Sequence, residues 1–307
     1  MDLNKKKILI TGGAGFVGSN LTMQIQNKYP DAEITVIDDL SSGHFDNLKG
    51  YKGDFIASDI AAIDLEKYFS GLDVIFHQAA ITETIFSDSK KMIFQNVEGF
   101  RNVLRYAMSH SVDLIYASAS GIYGQSPVPM KVGKGENPLN SYAFSKLVID
   151  NIARRYFSSF KNRLIGLRYF IIYGPKEIHK ISKTKGSIIW KLYSQMKSGE
   201  RPMIFGDGEQ KRDFVYINDA IKANLLSLEA KNNGIFNVGT GKAVTFNEAV
   251  NILNRFLGTS LKPKYQPNPI EKSYQYHSEA DLADTKEALG YEPEYTLKDG
   301  IEDYLEK

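Results

Sequence analysis

The chain has 307 residues, of which 42% are hydrophobic and 24% charged, enough for about two globular domains and incompatible with a disordered or fibrous chain. Lys and Arg number 38 against 36 Asp and Glu, with no basic block longer than Lys5-Lys6-Lys7, so neither a nucleic-acid nor a membrane-surface role has an electrostatic basis. Cysteine is absent, which excludes disulfides and thiol chemistry and fits a cytoplasmic enzyme. No apolar run approaches a membrane span, and the short apolar stretch Ile8 to Thr11 is not the core of a signal peptide. His44, His77, His110, His179 and His277 are dispersed, so no metal site is expected.

Strand-length apolar segments are predicted at Lys7 to Thr11, Glu33 to Asp38, Asp73 to Ala80, Asp113 to Ala119 and Arg163 to Phe170. Helical spacing lies between them, as in Phe16, Leu21, Ile25 and in Val103, Leu104, Ala107. The alternation predicts an α/β fold, a Rossmann doubly wound parallel sheet covered on both faces. Beyond Tyr173 the pattern loosens, and the lysine-rich stretch 176–185 reads as a mobile loop of the kind that covers a site. Thr245-Phe246-Asn247-Glu248 has capping-box spacing ahead of a helix through Phe256. The expected division is a dinucleotide-binding domain over 1–170 and a smaller mixed α/β substrate-binding lobe over 171–307, with a segment near 214–240 returning to the first sheet.

Thr11-Gly12-Gly13-Ala14-Gly15-Phe16-Val17-Gly18 follows the first strand directly. Glycines at 12, 15 and 18 let backbone N–H groups approach a pyrophosphate at a helix N-terminus. The second strand ends in Asp38-Asp39, where an acid accepts hydrogen bonds from an adenosine ribose and repels a 2′-phosphate, favouring NAD over NADP. A solvated turn is the plainer reading of these two acids. The third predicted strand runs into His77-Gln78-Ala79-Ala80, small residues where a dinucleotide needs room and where a packed strand end would also use them.

Tyr142 and Lys146 stand four apart ahead of the apolar-periodic stretch Leu147, Val148, Ile152, which stacks both side chains on one helix face. A phenol has a pKa near 10, and a nearby ammonium with a cationic nicotinamide would lower it enough to make Tyr142 a base. The Tyr-x-x-x-Lys spacing alone is a common accident in a chain with 18 tyrosines; beside the glycine turn it is specific.

The glycine turn, the Tyr142–Lys146 pair, Tyr169-Phe170 leading to Tyr173-Gly174-Pro175, and Arg212-Asp213-Phe214-Val215-Tyr216 resemble the extended short-chain dehydrogenase/reductase (NAD-dependent epimerase/dehydratase) family along almost the whole chain. Within it the sequence is most similar to the ADP-glycero-manno-heptose 6-epimerases, through Lys176-Glu177-Ile178-His179-Lys180 and Ser273-Tyr274-Gln275. The resemblance implies an isomerase of nucleotide sugars for surface polysaccharide synthesis, in which a carbinol is transiently oxidised to a ketone and reduced from the opposite face. It implies Tyr142 and Lys180 as the two bases, and Lys146 as the residue that orients the cofactor ribose and lowers the Tyr142 pKa. It sets Gly12, Gly15, Phe16, Val17, Gly18, Asp38, Asp39, Asp59, Ile60, Gln78, Ala79, Ala80 and Asn96 along NAD, with NADP an alternative. It sets Thr82, Ser187, Phe205, Gly208, Arg212 and Tyr274 along the substrate, Arg212 being suited to a diphosphate. Each has a plain counterpart: Lys180 lies in a solvated lysine-rich loop, Arg212 and Asp213 could form a surface ion pair, and Tyr274 could simply pack.

Two positions depart from the family. Ala119 stands where a Ser or Thr precedes the strand-end tyrosine by four residues, here Tyr123; the missing donor costs about 1.5–3 kcal/mol. Ser120, or Ser118, could replace it, given a local bend, since neighbouring strand residues face opposite ways. Ile171 stands where the family carries a substrate-contacting Asn. Ser120-Gly121-Ile122 lacks the acid pair of the 4,6-dehydratases, and GDP-fucose epimerase-reductases need a cysteine. A UDP-hexose 4-epimerase is the near alternative, through Ile204 to Gln210. A non-catalytic NAD-binding sensor or scaffold is the alternative of another class. A homo-oligomer is expected by analogy alone.

Overall fold

The computed structural model describes residues 1–83, 88–177, 186–268 and 274–306. In chain order the first half runs β1 (Lys7–Thr11), α1 (Phe16–Lys28), β2 (Glu33–Asp38), β3 (Asp54–Ala57), β4 (Val74–His77), α2 (Ser89–His110), β5 (Asp113–Ala119), α3 (Ser141–Arg154) and β6 (Leu164–Tyr169). The second half runs β7 (Ile171–Tyr173), α4 (Ile188–Lys197), β8 (Met203–Phe205), β9 (Lys211–Tyr216), α5 (Ile217–Leu226), β10 (Gly234–Val238), β11 (Ala243–Thr245), α6 (Phe246–Leu257), β12 (Lys264–Gln266), β13 (His277–Ser278), α7 (Ala283–Leu289) and α8 (Leu297–Leu305).

Seven strands form one parallel sheet in the order β10-β6-β5-β4-β1-β2-β3. β4, β5 and β6 are buried along their entire lengths, as strands covered on both faces must be. Alternation along β1 divides the interior in two: Ile8 and Ile10 join the cluster packed with α1 and α5, while Leu9 joins the cluster packed with α2 and α3. The strand order reverses between β1 and β4, which opens a crevice beyond their C-terminal ends, the usual ligand position in such sheets. β3 was not predicted. Its residues are exposed or half-buried at the sheet edge, so it carries little apolar signal. The predicted strands at 73–80 and 163–170 are shorter in the structure, at 74–77 and 164–169.

A second sheet centres on β9, which pairs with β7, β11 and β13, and β8 pairs with β12. The expected capping box starts α6: Thr245 Oγ1 accepts from Glu248 N at 3.0 Å and Glu248 Oε2 accepts from Thr245 N at 2.7 Å. Most of the lysine-rich stretch, 178–185, lies outside the described residues.

One partly buried ion cluster ties the loop before α3 to β6. Glu136 accepts from both terminal nitrogens of Arg154, at 2.6 and 3.0 Å, and from Arg168 Nη2 at 2.7 Å; Arg168 is fully buried. Burial pushes the Glu136 carboxyl up, but the two guanidiniums more than reverse that and hold it at about 2, below its ordinary 4.5. A depressed carboxyl contributes stability that is complete above the unfolded value and is lost as pH falls toward the folded one. Glu136→Gln is expected to cost on the order of 3 kcal/mol near neutral pH. The gap to the native protein in urea unfolding should narrow as pH drops from about 4.5 toward about 2. A gap of constant size across that window would contradict the ion-pair account.

Candidate active site

The glycine turn is built by close approach. Gly12 has φ +68, and a Cβ on it would meet Ala79 N at 2.6 Å; a Cβ on Gly18 would meet Gly12 O at 2.1 Å. The turn thus presses backbone on backbone where β1 gives way to α1. Gly15 is the N-cap of α1, with no side-chain cap and no acid in the first turn of this 13-residue helix, so none of the helix's own side chains takes up its first N–H groups. Phe16 and Val17 are its first two residues.

Asp38 is not a solvated turn residue. It is buried, and its oxygens accept from Ala14 N at 2.9 Å and Leu40 N at 2.8 Å, which fastens the glycine turn to the end of β2. Burial raises its pKa, against the pull of those backbone donors. Asp39 is exposed and takes Ser41 N and Oγ. Asp59 follows β3, the strand paired with β2. It is half-buried and accepts from Ala61 N at 2.8 Å and Gln95 Nε2 at 3.0 Å, with Ile60 buried beside it. Glycines 12, 15 and 18, Asp38 and Asp59 therefore line successive strand ends at the sheet's switch point. A Cβ at any of the three glycines would press on the turn's own backbone or on that of Ala79, so their role is to let the turn close tightly at the strand ends.

The other predicted cofactor residues converge on the same edge. Gln78 donates to Asn224 Oδ1 at 3.0 Å and accepts from Tyr169 Oη at 3.2 Å. Ala79 N donates to Thr11 Oγ1 at 3.3 Å, and Ala80 is half-buried next to it. Asn96 is buried and clamps the loop: it accepts from Ile81 N, donates to Ile81 O, and donates to Ser145 Oγ at 2.9 Å, which in turn donates to Tyr142 O at 2.7 Å. His77 lies beneath, its Nδ1 2.8 Å from Thr11 Oγ1. Burial, with the Lys146 ammonium adding, holds it down at about 3, so it is neutral.

Tyr142 and Lys146 share the inner face of α3. Lys146 is buried, and its Nζ donates to Ala117 O at 2.7 Å and lies 6.0 Å from the Tyr142 ring. Burial pushes the ammonium down to about 8, against the pull of Asp150. The Tyr142 hydroxyl makes no hydrogen bond among the described residues, and burial pushes the phenol up to about 12. In the protein alone burial is the cause of that rise; the expected lowering calls for the Lys146 ammonium and a cationic nicotinamide together.

Ala119, buried, ends β5, and Ser120 opens a 3-10 turn to Tyr123. The turn supplies the bend that strand alternation demanded, and it packs on α3, with a Cβ at Gly121 only 3.4 Å from Ala143 Cβ. Ser118 faces away and donates to Asp150 Oδ2 at 3.0 Å. Ser120 is buried and its hydroxyl has no partner among the described residues, which leaves it the better substitute donor.

A second group gathers around β9. Arg212 is buried between the rings of Tyr274, at 5.0 Å, and Phe246, at 5.8 Å, and donates to Lys211 O. It has no carboxylate partner among the described residues, and burial lowers its pKa. The Arg212–Asp213 ion pair does not exist: neighbours on a strand face opposite ways, and Asp213 is spent on Thr240, Gly241 and Ala280. A dry guanidinium without a counter-ion is suited to an anionic ligand. Phe205 ends β8, Gly208 abuts Asn247 at the start of α6, and Tyr274 is joined through its carbonyl to Gln125. Gln275 donates to Gly124 O at 2.6 Å, so this group is fastened to the chain just beyond the Ser120 turn.

Three predicted residues stand apart. Ser187 is the N-cap of α4, and its hydroxyl donates to buried Glu177 at 3.1 Å. Thr82 is exposed. Lys180 lies outside the described residues. Ile171 is half-buried on β7, paired with Phe214. Asp150 and Arg168 were missed, although the i, i+4, i+8 spacing of Tyr142, Lys146 and Asp150 was there to be read.

Known proteins bear on this arrangement. The family model described as NAD dependent epimerase/dehydratase matches residues 8–239. The ADP-L-glycero-D-manno-heptose-6-epimerase of Helicobacter pylori superposes with TM-score 0.92 at 40% identity, over 100% of this chain and 97% of that one. The UDP-N-acetylglucosamine 4-epimerase of Methanobrevibacter ruminantium, in complex with UDP-N-acetylmuramic acid, gives 0.89 at 30% identity, over 98% and 96%. The UDP-glucose 4-epimerase of Thermotoga maritima, with UDP-glucose, gives 0.88 at 29% identity, over 98% and 97%. With its glycine turn, its Tyr142–Lys146 pair and a family match across most of its length, the chain belongs to the NAD dependent epimerase/dehydratase family.

Proposed function

We propose that this NAD-dependent nucleotide-sugar epimerase, an isomerase, inverts C6 of an ADP-linked D-glycero-D-manno-heptose used in lipopolysaccharide synthesis. The reading is supported by the Tyr142–Lys146 pair, with the lysine Nζ 6.0 Å from the tyrosine ring, in a chain 40% identical, end to end, to an ADP-heptose epimerase. Arg212, dry and without a counter-ion among the described residues, would hold the substrate diphosphate. Glycines 12, 15 and 18 and Asp38 would hold NAD, which when bound supplies the hydride acceptor and donor.

Tyr142 takes the proton of the sugar hydroxyl as the C–H bond breaks, leaving a ketone, and on the opposite face Lys180 supplies the proton to that oxygen when the ketone is reduced. Its phenol lies at about 12 in the protein alone, so this step requires positive charge beside it, from Lys146 and from the oxidised pyridine ring. Ser120 donates to the reacting oxygen in place of Ala119. Lys180 serves as the second base, on the strength of the resemblance. A cytoplasmic location and a homo-oligomeric state belong to the same proposal, the first motivated by the absence of cysteine and the second by analogy.

Product NMR with ADP-D-glycero-D-manno-heptose and with UDP-galactose tests the assignment: inversion at C6 of the heptose is expected. Conversion of UDP-galactose alone would identify a 4-epimerase, and NAD binding without conversion of either would identify a sensor. Tyr142→Phe is expected to lower turnover by at least about 10²-fold with NAD affinity nearly unchanged; full turnover would remove Tyr142 from the chemistry.

A further inference from the structure

Tyr142, Lys146 and Asp150 are spaced four apart on α3 and follow one another along one face. Asp150 is fully buried, and its carboxylate is gripped from β5 and β6. Tyr116 Oη donates to Oδ1 at 3.1 Å, Ser118 Oγ to Oδ2 at 3.0 Å, and Arg168 Nε to Oδ2 at 2.9 Å, with Arg168 Nη2 2.7 Å from the same oxygen. Burial pushes this carboxyl up, while the guanidinium and the two hydroxyls pull it back. A well-packed apolar pair would be no less stable in such a place, so the charge calls for a purpose beyond holding β6.

That purpose is visible from Lys146. Its Nζ is out of water with one carbonyl as partner. His77 at the end of β4, kept neutral by burial, acts on it, and the Tyr142 ring on its own helix lies 6.0 Å away; of the neighbouring phenols, Tyr116 on β5 is bonded to Asp150 and Tyr169 on β6 to Gln78 and Asn224, both kept neutral by burial. Arg168 on β6 turns its charge to Asp150 and Glu136. From α2, neutral Asn96 reaches α3 through Ser145. Among the described residues Asp150 is the one negative charge that acts on the ammonium.

We propose that Asp150 is a positioning residue for the reaction: fixed by Arg168, Tyr116 and Ser118 one turn beyond Lys146, its carboxylate is the counter-charge that keeps this lysine an ammonium and thereby favours ionisation of Tyr142 one turn before it. The inference rests on the reading of Tyr142 as the base. Asp150→Asn keeps the shape and the acceptor oxygen and removes the charge.

The full chain labelled at lysine Cε is titrated by NMR, with Lys146 assigned through Lys146→Met. The native midpoint is expected near 8 and that of Asp150→Asn lower by about one unit or more, with the alkaline limb of the turnover profile moving down alongside it. Glu136→Gln, which loosens the same cluster without removing that carboxylate, should leave the Lys146 midpoint in place. Should the lone guanidinium unfold the single variant, Asp150→Asn with Arg168→Gln carries the same expectation. An unmoved midpoint in a folded variant overturns the proposal, and a moved midpoint with an unmoved turnover profile overturns its link to Tyr142. Full activity of Tyr142→Phe, measured separately, would instead overturn the reading on which it rests.

Discussion

A lysine ammonium taken out of water governs this structure. Lys146 can be buried because Ala117 in β5 offers its carbonyl at 2.7 Å and a carboxylate stands one turn away. Those two partners set α3 against the C-terminal ends of β5 and β6. Tyr142 beside it is half-buried, and its partial burial drives it toward the neutral phenol. A site that disfavours both charged forms is one in which an added positive charge has a large effect, since little water is present to screen it.

The crevice receives its shape from the opposite wall. Gly12 and Gly18 allow the β1–α1 turn to press against Ala79 and against itself, and Asp38 fastens that turn to β2. Asn96 binds the loop after β4 to α3 through Ser145 and the Tyr142 carbonyl. The glycine wall and the tyrosine wall are thus joined by buried hydrogen bonds rather than by apolar contact alone, which fixes their separation.

The parts legible in the sequence are those whose signal is local. β1, β2 and β5 could be bounded correctly because buried parallel strands are continuous apolar runs, and the capping box of α6 because its four residues satisfy one another. β7 and β8 are three-residue strands that exist through their partners β9 and β12, so no periodicity announces them. The Asp150–Arg168 pair escaped for the same reason: it depends on β5 and β6 aligning Ser118 with Arg168, a contact across 50 positions that spacing does not encode. Arg212 and Asp213 looked like a pair in sequence and are separated by strand alternation. The rise of the Tyr142 phenol in the protein alone could not be read from the sequence, because burial is a property of the whole fold, whereas the lysine four residues on is a property of the helix.

The displaced hydroxyl near residue 119 has a physical rationale in the same packing. Ser118 is committed to Asp150, and the chain bends immediately after Ala119, so a serine at 120 occupies a turn rather than the next strand position. Ala119 thereby becomes a packing residue, and the two departures from the family pattern, at 119 and 171, are both apolar side chains, one buried and one half-buried.

The central claim, that Tyr142 becomes a base only when positive charge joins Lys146, is tested most directly by its own absorbance. Phenolate absorption is recorded near neutral pH as native protein minus Tyr142→Phe, after removal of nucleotide and again with saturating NAD⁺. A phenol at about 12 should give no signal in the stripped protein, and a phenolate band should appear with NAD⁺. A difference spectrum that stays flat with NAD⁺ bound would contradict the account.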